Sequence, residues 1–248
     1  MKILGIIPAR YASTRFPGKS LALIGNKSVI QRVYEQASFS KMLDKIVVAT
    51  DNILIEDHVK SFGGNVVMTS VDHQSGTDRV YEAYTILNEC FDAVINIQGD
   101  EPFINPIQIN ELVQVFNNVN VEIATMAKKI SDVSDIFNQN TVKVVFDNQN
   151  KALYFSRSAI PYVRNIENID WIKSVDFYKH IGIYAFRTEI IKELVILPQS
   201  KFEIAESLEQ LRWLESGYKI QVVETAFENI GIDTYNDLIK ANKFIQKF

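Results

Sequence analysis

The sequence predicts an α/β layered fold, and two observations carry that prediction. Short apolar strands alternate with amphipathic helical patterns, most regularly up to about Asn117. The chain's 248 residues, 47% hydrophobic and 23% charged, give it the length and balance to bury a substantial core as one large domain or two small ones. No Pro/Gly/Ser-rich linker, internal repeat or low-complexity tract divides it. One domain with a less regular second half is therefore expected.

Taken in order, the pattern predicts strands over residues 3–7, 45–50, 65–69, 93–97, 122–128, 142–146, 152–156, 180–186 and 219–224. Helices are predicted over 29–38, 53–62, 77–88, 106–117, 189–194, 202–216 and 235–246. Asn105-Pro106 offers an N-cap followed by a first-turn proline. Ser200 with Glu203, and Thr234 with Asp237, have capping-box spacing, and Gly217 is a natural helix stop. A β-hairpin is expected around Asn148-Gln149-Asn150. Residues 161–176 are polar and irregular, long enough for a functional loop or lid.

Composition narrows the function classes. A formal net charge of −4 gives no general attraction to nucleic acid or an anionic membrane. No apolar run approaches the roughly 20 residues that span a bilayer, and the N-terminus has no signal-peptide profile. A cytoplasmic protein is expected. One cysteine, Cys90, permits no intrachain disulfide; set among apolar residues late in a helical stretch, it reads as buried filler. Within this acidic chain, residues 1–34 hold six basic residues and no acid. A solvated charged face is the plain reading of such a run; a dedicated anion site is the functional one.

The segment Pro8-Ala-Arg-Tyr-Ala-Ser-Thr-Arg-Phe-Pro-Gly-Lys-Ser20 favours the anion site, because it directly follows the first strand. Ligands of open α/β sheets bind beyond the carboxyl ends of the strands. Gly18-Lys19-Ser20 mimics the tail of a P-loop, but that motif's leading glycine would fall at Ser13, and Pro17 precedes Gly18. It is not a P-loop. Small residues still let backbone N–H groups approach phosphate, while Arg10, Arg15 and Lys19 supply charge.

Gln98-Gly-Asp-Glu-Pro102 follows the strand at 93–97, which puts Asp100 and Glu101 at the same sheet edge. Hard carboxylate oxygens there suit Mg²⁺, although Gly-Asp and Glu-Pro are also ordinary turn dipeptides. Asp233, in Ile230-Gly-Ile-Asp-Thr234, is a second acid of this kind; a metal clamp with Asp100 and a helix cap are both open for it. Ser75-Gly-Thr-Asp-Arg79 opens a helix, where Ser75 serves equally as a cap or as part of an anion or base site. His58 and His73 read as surface or loop residues, and no His/Cys spacing suggests zinc.

These motifs, with Ala152-Leu-Tyr-Phe-Ser-Arg-Ser158, Tyr178-Lys-His-Ile-Gly-Ile-Tyr184, Leu208-Glu-Gln-Leu-Arg212 and Gly231-Ile-Asp-Thr234, resemble the 3-deoxy-manno-octulosonate (Kdo) cytidylyltransferases almost from end to end. The first motif is shared by related nucleotidyltransferases; Phe155-Ser-Arg157, Lys179-His-Ile-Gly-Ile-Tyr184 and Leu208-Glu-Gln210, in this order, are much more specific. The resemblance implies a three-layer nucleotide-diphospho-sugar transferase fold with a mostly parallel mixed sheet and an extra β-hairpin region. It implies that residues 1–120 mainly bind CTP, while 121–248 bind sugar and form a homodimer. The implied reaction joins CTP and Kdo to CMP-Kdo and pyrophosphate with Mg²⁺, activating Kdo for lipopolysaccharide synthesis.

The same resemblance implies roles. Arg10 and Lys19 neutralise the triphosphate, Arg15 stands near both substrates, and Asp100 and Asp233 hold Mg²⁺. Pro8, Ala9, Ser75, Arg79 and Gln98 shape the nucleotide pocket, with Gln98 also reaching the sugar. Arg157 pairs with the sugar carboxylate, and His180, Tyr184, Glu209 and Gln210 grip its hydroxyls. Read without the resemblance, His180 and Tyr184 share one strand face and suit packing, and Glu209 and Gln210 suit an exposed helix surface. The family commonly has proline where this chain has Tyr235, which suggests a looser helix start. Sialic acid or 8-amino-Kdo is the alternative sugar acid.

Overall fold

A computed structural model describes residues 1–13, 15–73 and 75–246, so Thr14 of the basic motif lies outside the described residues. No helix among them is long and apolar enough to cross a membrane. Their packing divides into two compact units, Met1–Val113 with Asn229–Phe248, and Gln114–Glu228.

The first unit begins with β1 (Ile3–Ala9), a 3₁₀ turn at Lys19–Leu21, and the short hairpin β2 (Leu23–Ile24) and β3 (Lys27–Ser28). It continues through α1 (Val29–Ser38), β4 (Lys45–Thr50), α2 (Ile53–Ser61), β5 (Val66–Met68), α3 (Gly76–Leu87), β6 (Ala93–Asn96) and α4 (Pro106–Gln114). β1 lies between β6 and β4, and β4 also pairs with β5, all parallel. A central parallel strand is covered on both faces, which is why β1 reads as a continuous apolar run with Leu4, Ile6 and Ile7 fully buried. Parallel pairing also puts the ends of β1, β4 and β6 on one edge, the edge that carries the basic motif and the Gln98–Pro102 turn.

The second unit holds β7 (Ile123–Lys129), α5 (Val133–Phe137), β8 (Lys143–Phe146), β9 (Ala152–Ser156), α6 (Trp171–Ser174) and β10 (Tyr178–Arg187). After these come α7 (Thr188–Leu194), α8 (Lys201–Glu206), α9 (Gln210–Glu215) and β11 (Ile220–Glu224). β7 pairs parallel with β11 and antiparallel with β10, so this sheet is mixed. β8 and β9 form the predicted hairpin, closed by Asp147, whose carboxylate accepts from the N–H groups of Gln149 and Lys151. Within the irregular stretch 161–176, Trp171 is buried with Ile130, Ile136 and Phe177, so a hydrophobic anchor holds what the sequence showed only as a polar loop.

The chain then returns to the first unit with α10 (Tyr235–Ile245), whose Leu238 and Ala241 pack on Ile24, Val29 and Ile232. Its start is closed by a reciprocal capping box between Thr234 and Asp237. The missing proline therefore leaves no open helix start, and Tyr235 packs edge-on against Phe16 at 6.1 Å.

Two expectations are corrected. The helix predicted over 202–216 breaks into α8 and α9 because Ser207 takes the left-handed region, φ 52°, and reverses the chain. Cys90 is exposed rather than buried. α3 stops at Leu87 with a left-handed Asn88 at its end, so the helical phase that suggested burial does not reach residue 90. In the native protein Cys90 is expected to react with a thiol-specific reagent at nearly the rate of the unfolded chain; protection until denaturation would contradict the placement.

Candidate active site

The carboxyl end of β1 leads into the basic motif, and three features bend this loop back on itself. Gly18 occupies the left-handed region at φ 71°, and its N–H donates to the Tyr11 carbonyl at 2.9 Å. Only a three-residue 3₁₀ turn follows, so the architecture departs from a P-loop, which runs into a full helix. Gly99 approaches the same place from β6. A Cβ there would stand 2.5 Å from the Pro8 carbonyl oxygen, so only glycine lets the two strand ends come this close.

The result is a cavity of about 320 Å³ whose lining includes Pro8, Ala9, Arg10, Arg15 and Lys19 from the first motif and Gln98 and Asp100 from the turn after β6. Ser75, Arg79 and Asp233 line it too. Of the nucleotide and metal candidates singled out from the sequence in this unit, all but Glu101 are thus brought together. The distance in sequence is large: Lys19 Nζ donates to Asp100 Oδ2 at 2.5 Å and to Asp233 Oδ1 at 3.2 Å. Arg15 reaches the same Asp233 oxygen at 3.0 Å. Arg10 is exposed and, among the described residues, pairs with no carboxylate.

The acidic turn and the segment before α10 are tied together by their backbones. Ile232 N–H donates to the Asp100 carbonyl at 2.8 Å, and Asn229 Nδ2 donates to Glu101 Oε2 at 2.5 Å. Burial, and next the Asp100 charge, push the Glu101 carboxyl up to about 8 against the opposing Asn229 donor. Asp100 and Asp233 are therefore set side by side by the fold. Glu101 is turned to Asn229.

Ser75 does cap α3: its hydroxyl accepts from Asp78 N–H and Asp78 accepts from Ser75 N–H. It lines the cavity as well, so cap and pocket wall are one residue. Arg79 is buried and donates to Thr69 Oγ1 at 2.6 Å and Asp51 Oδ2 at 2.7 Å, fastening α3 to the end of β4. The sequence reading missed Ser13, Ser20, Gly76, Gly99 and His73 in the lining. His73, read as a surface or loop residue, does lie outside the helices and strands, but its side chain is mostly buried and its Nε2 meets Glu82 Oε2 at 2.5 Å. A carboxylate only accepts, so Nε2 carries the proton. Its place two residues before Ser75 was the available signal.

In the second unit, Arg157, His180, Tyr184, Glu209 and Gln210 are each fixed by their own surroundings. Arg157 sits just past β9 and donates Nε–H to the Glu206 carbonyl at 2.8 Å. His180 and Tyr184 are on β10, their rings tilted at 50° to one another and 5.3 Å apart between centres. His180 Nε2 meets Thr125 Oγ1 at 2.9 Å, and burial drives the imidazole down to about 3. Burial, with Glu209 second, raises the Tyr184 phenol well above its usual range. Glu209 and Gln210 begin α9, and Gln210 is buried rather than exposed. The Gln210 Nε2 and Trp213 Nε1 donors are buried without a partner among the described residues. Trp213, edge-on to Tyr184 at 5.1 Å, was not anticipated; it follows directly on the Leu208–Arg212 motif.

The strand-end cations and the paired aspartates share one cavity, and comparison gives the class of protein that carries it. The chain belongs to the cytidylyltransferase family, whose model matches residues 4–220, and it is a nucleotidyltransferase. Its relatives point to one member: it is 56% identical over 99% of its length to the 3-deoxy-manno-octulosonate cytidylyltransferase of Parabacteroides distasonis, covering 98% of that protein. It is equally similar, at 56% over 99% of both chains, to the enzyme of that name from Bacteroides thetaiotaomicron. A solved structure of CMP:2-keto-3-deoxy-manno-octonic acid synthetase complexed with CTP matches with a TM-score of 0.92 and 40% identity, covering 100% of this chain and 99% of that one. The α/β fold with a mostly parallel sheet is therefore the nucleotide-diphospho-sugar transferase fold expected from the sequence.

Because His180 is held neutral, its folded pKa near 3 lies below the unfolded value near 6.5. Its contribution to stability is complete above pH 6.5 and is lost as pH falls from there toward 3. Imidazole chemical shifts are expected to show His180 neutral at pH 5; titration there near pH 6.5 would contradict the burial argument.

Proposed function

We propose that the protein transfers CMP from CTP to 3-deoxy-D-manno-octulosonate, releasing pyrophosphate and activating the sugar acid for lipopolysaccharide synthesis. The observation that supports this most is the convergence of Arg10, Arg15 and Lys19 with Asp100 and Asp233 in one cavity. The names of its relatives supply the sugar and the nucleotide.

In this reading the anomeric hydroxyl oxygen of the sugar acid attacks the α-phosphorus. A new P–O bond forms, the bond from the α-phosphorus to the bridging oxygen breaks, the hydroxyl proton passes to water, and pyrophosphate departs in line with the bridging oxygen and the electron pair of the broken bond. Such a displacement needs positioning and charge neutralisation more than a covalent nucleophile. Arg10 has its charge to give to the triphosphate, and Lys19 and Arg15 can exchange carboxylate for phosphate oxygen. Pro8, Ala9, Ser75, Arg79 and Gln98 form the walls that orient the nucleotide.

Asp100 and Asp233 fit a Mg²⁺ ion. Two carboxylates gathered on one ammonium are the sparse oxygen donor set that Mg²⁺ completes with water and phosphate. When bound, the ion would draw negative charge off the α-phosphate.

For the sugar acid, the reading assigns Arg157 to the carboxylate and His180, Tyr184, Glu209 and Gln210 to the hydroxyls. The unpartnered donors of Gln210 and Trp213 support a polar ligand there. A cytoplasmic homodimer completes the proposal. Leu153 on the hairpin and Phe202 and Ile204 on α8 are large exposed apolar residues that support a second copy covering the second unit.

Pyrophosphate release with CTP and Mg²⁺ tests the reaction. Release with Kdo is expected; release with sialic acid or 8-amino-Kdo alone would replace the sugar, and none with any of the three would overturn the reading. Asp100→Ala is expected to lower kcat on the order of a hundredfold or more, and turnover near wild type would refute its metal role. Arg10→Ala is expected to raise the KM for CTP while leaving that for the sugar acid within a factor of about two, since a uniform binding contact acts on its own substrate.

A further inference from the structure

Lys143 is a fully buried lysine in the second unit. Among the described residues it has no carboxylate within salt-bridge distance. Its three N–H groups all end on backbone carbonyls instead: Asn138 at 2.9 Å, Thr141 at 2.6 Å and Arg157 at 2.6 Å. An ammonium has three donors, so none remains for a substrate. Burying a charge in this way is costly unless each donor is satisfied, and burial lowers its affinity for the proton while Glu206 opposes that shift. A methionine or leucine would fill the space but leave those three carbonyls without this donor, so the lysine is what ties the Asn138, Thr141 and Arg157 backbones to one point.

Glu206 holds the same residue from the other side. Its Oε2 accepts from Arg157 N–H at 2.9 Å and its Oε1 from Ser156 Oγ at 2.6 Å. The Arg157 guanidinium is then fenced by carbonyls: Nε to Glu206 at 2.8 Å, one terminal nitrogen to Gln139 at 3.2 Å and the other to Ser207 at 3.4 Å. The left-handed Ser207 that breaks the predicted long helix is thus part of this fence. A guanidinium has five N–H groups. Three are spent on the protein, and one remains on each terminal nitrogen, the number a carboxylate accepts from an arginine fork.

We infer that Lys143 and Glu206 are positioning residues that clamp Arg157, through its backbone and its guanidinium, so that its last two N–H groups face a substrate carboxylate in one fixed geometry. This rests on the proposal that Arg157 binds the carboxylate of the sugar acid. Neither residue touches substrate. Their effect passes through Arg157.

The test is a double-mutant cycle read by pyrophosphate release. Lys143→Met and Glu206→Gln are each expected to raise the KM for the sugar acid about tenfold, the scale of a lost charge-assisted hydrogen bond, with the KM for CTP changed less than about twofold. On an Arg157→Ala background the same substitutions are expected to change the sugar KM no further. Equal effects with and without Arg157 would overturn the clamp and leave Arg157's own role standing. An unchanged sugar KM in Arg157→Ala would overturn the carboxylate assignment and the clamp with it. A purely structural role would raise both KM values or lower Tm without this coupling. Should Lys143→Met fail to fold, Glu206→Gln and Ser156→Ala carry the same cycle.

Discussion

The ammonium of Lys19 between Asp100 and Asp233 is the contact on which the rest of the first unit depends. Two carboxylates set side by side repel, and their ionised forms persist together only with a cation between them or strong compensation elsewhere. The fold draws them together regardless: Asp100 lies in the turn that follows a parallel strand, and Asp233 stands just before a helix capped by the next residue. The Ile232–Asp100 backbone bond fixes one side and Lys19, with Arg15, neutralises the other. These pairs are partly exposed, so their direct stabilisation is small, on the order of 1 kcal/mol or less each. Their weight is geometric, because they set the spacing of the charges that face the cavity.

The second unit solves the opposite problem, holding polar groups without solvent. His180 is kept neutral by burial, and the Thr125 hydroxyl bridges it to the carbonyls of Ile181 and Ile183 across a bulged stretch of β10. Arg212 and Glu203 form a buried pair at 2.5 Å that joins α9 to α8 across the reversal at Ser207. Removing one partner would strand a charge in the interior, which costs far more than the pair contributes. This joint fixes where α9 begins, and so where Glu209 and Gln210 stand.

Much of this was legible because it is local. Strand and helix positions follow from apolar period, and the capping boxes at Ser75, Ser200 and Thr234 follow from residue type at fixed spacing. Position after the first strand, together with the run of basic residues, marked Arg10 and Lys19, while for Asp100 a plain turn stayed open until the family resemblance. What the sequence hid depends on single backbone angles or on long-range meeting. A left-handed serine at 207 has no local signature, since serine is not the residue expected there, and the early stop at Asn88 moved Cys90 out of phase. Lys143 reads as an ordinary strand lysine until its three carbonyls are seen. The meeting of Asp100 with Asp233 needed either the fold or the family.

Charge accounting at the cavity wall bears on the two readings that the sequence left open for Ser75. Arg79 is matched by Asp51, so it brings no unbalanced charge to the cavity. Lys19 and Arg15 are matched by the aspartates. Arg10 is left as the cation with no carboxylate among the described residues, and it is where an incoming triphosphate finds unopposed charge. In the proposed reaction, drawing Lys19 and Arg15 toward phosphate uncovers Asp100 and Asp233 together. The carboxylate pair that suits a divalent ion is thus exposed by the same movement of charge that seats the nucleotide. The cap and the frame do not compete with function here: Ser75 and Arg79 hold the wall still, which confines that exchange to the four residues able to make it.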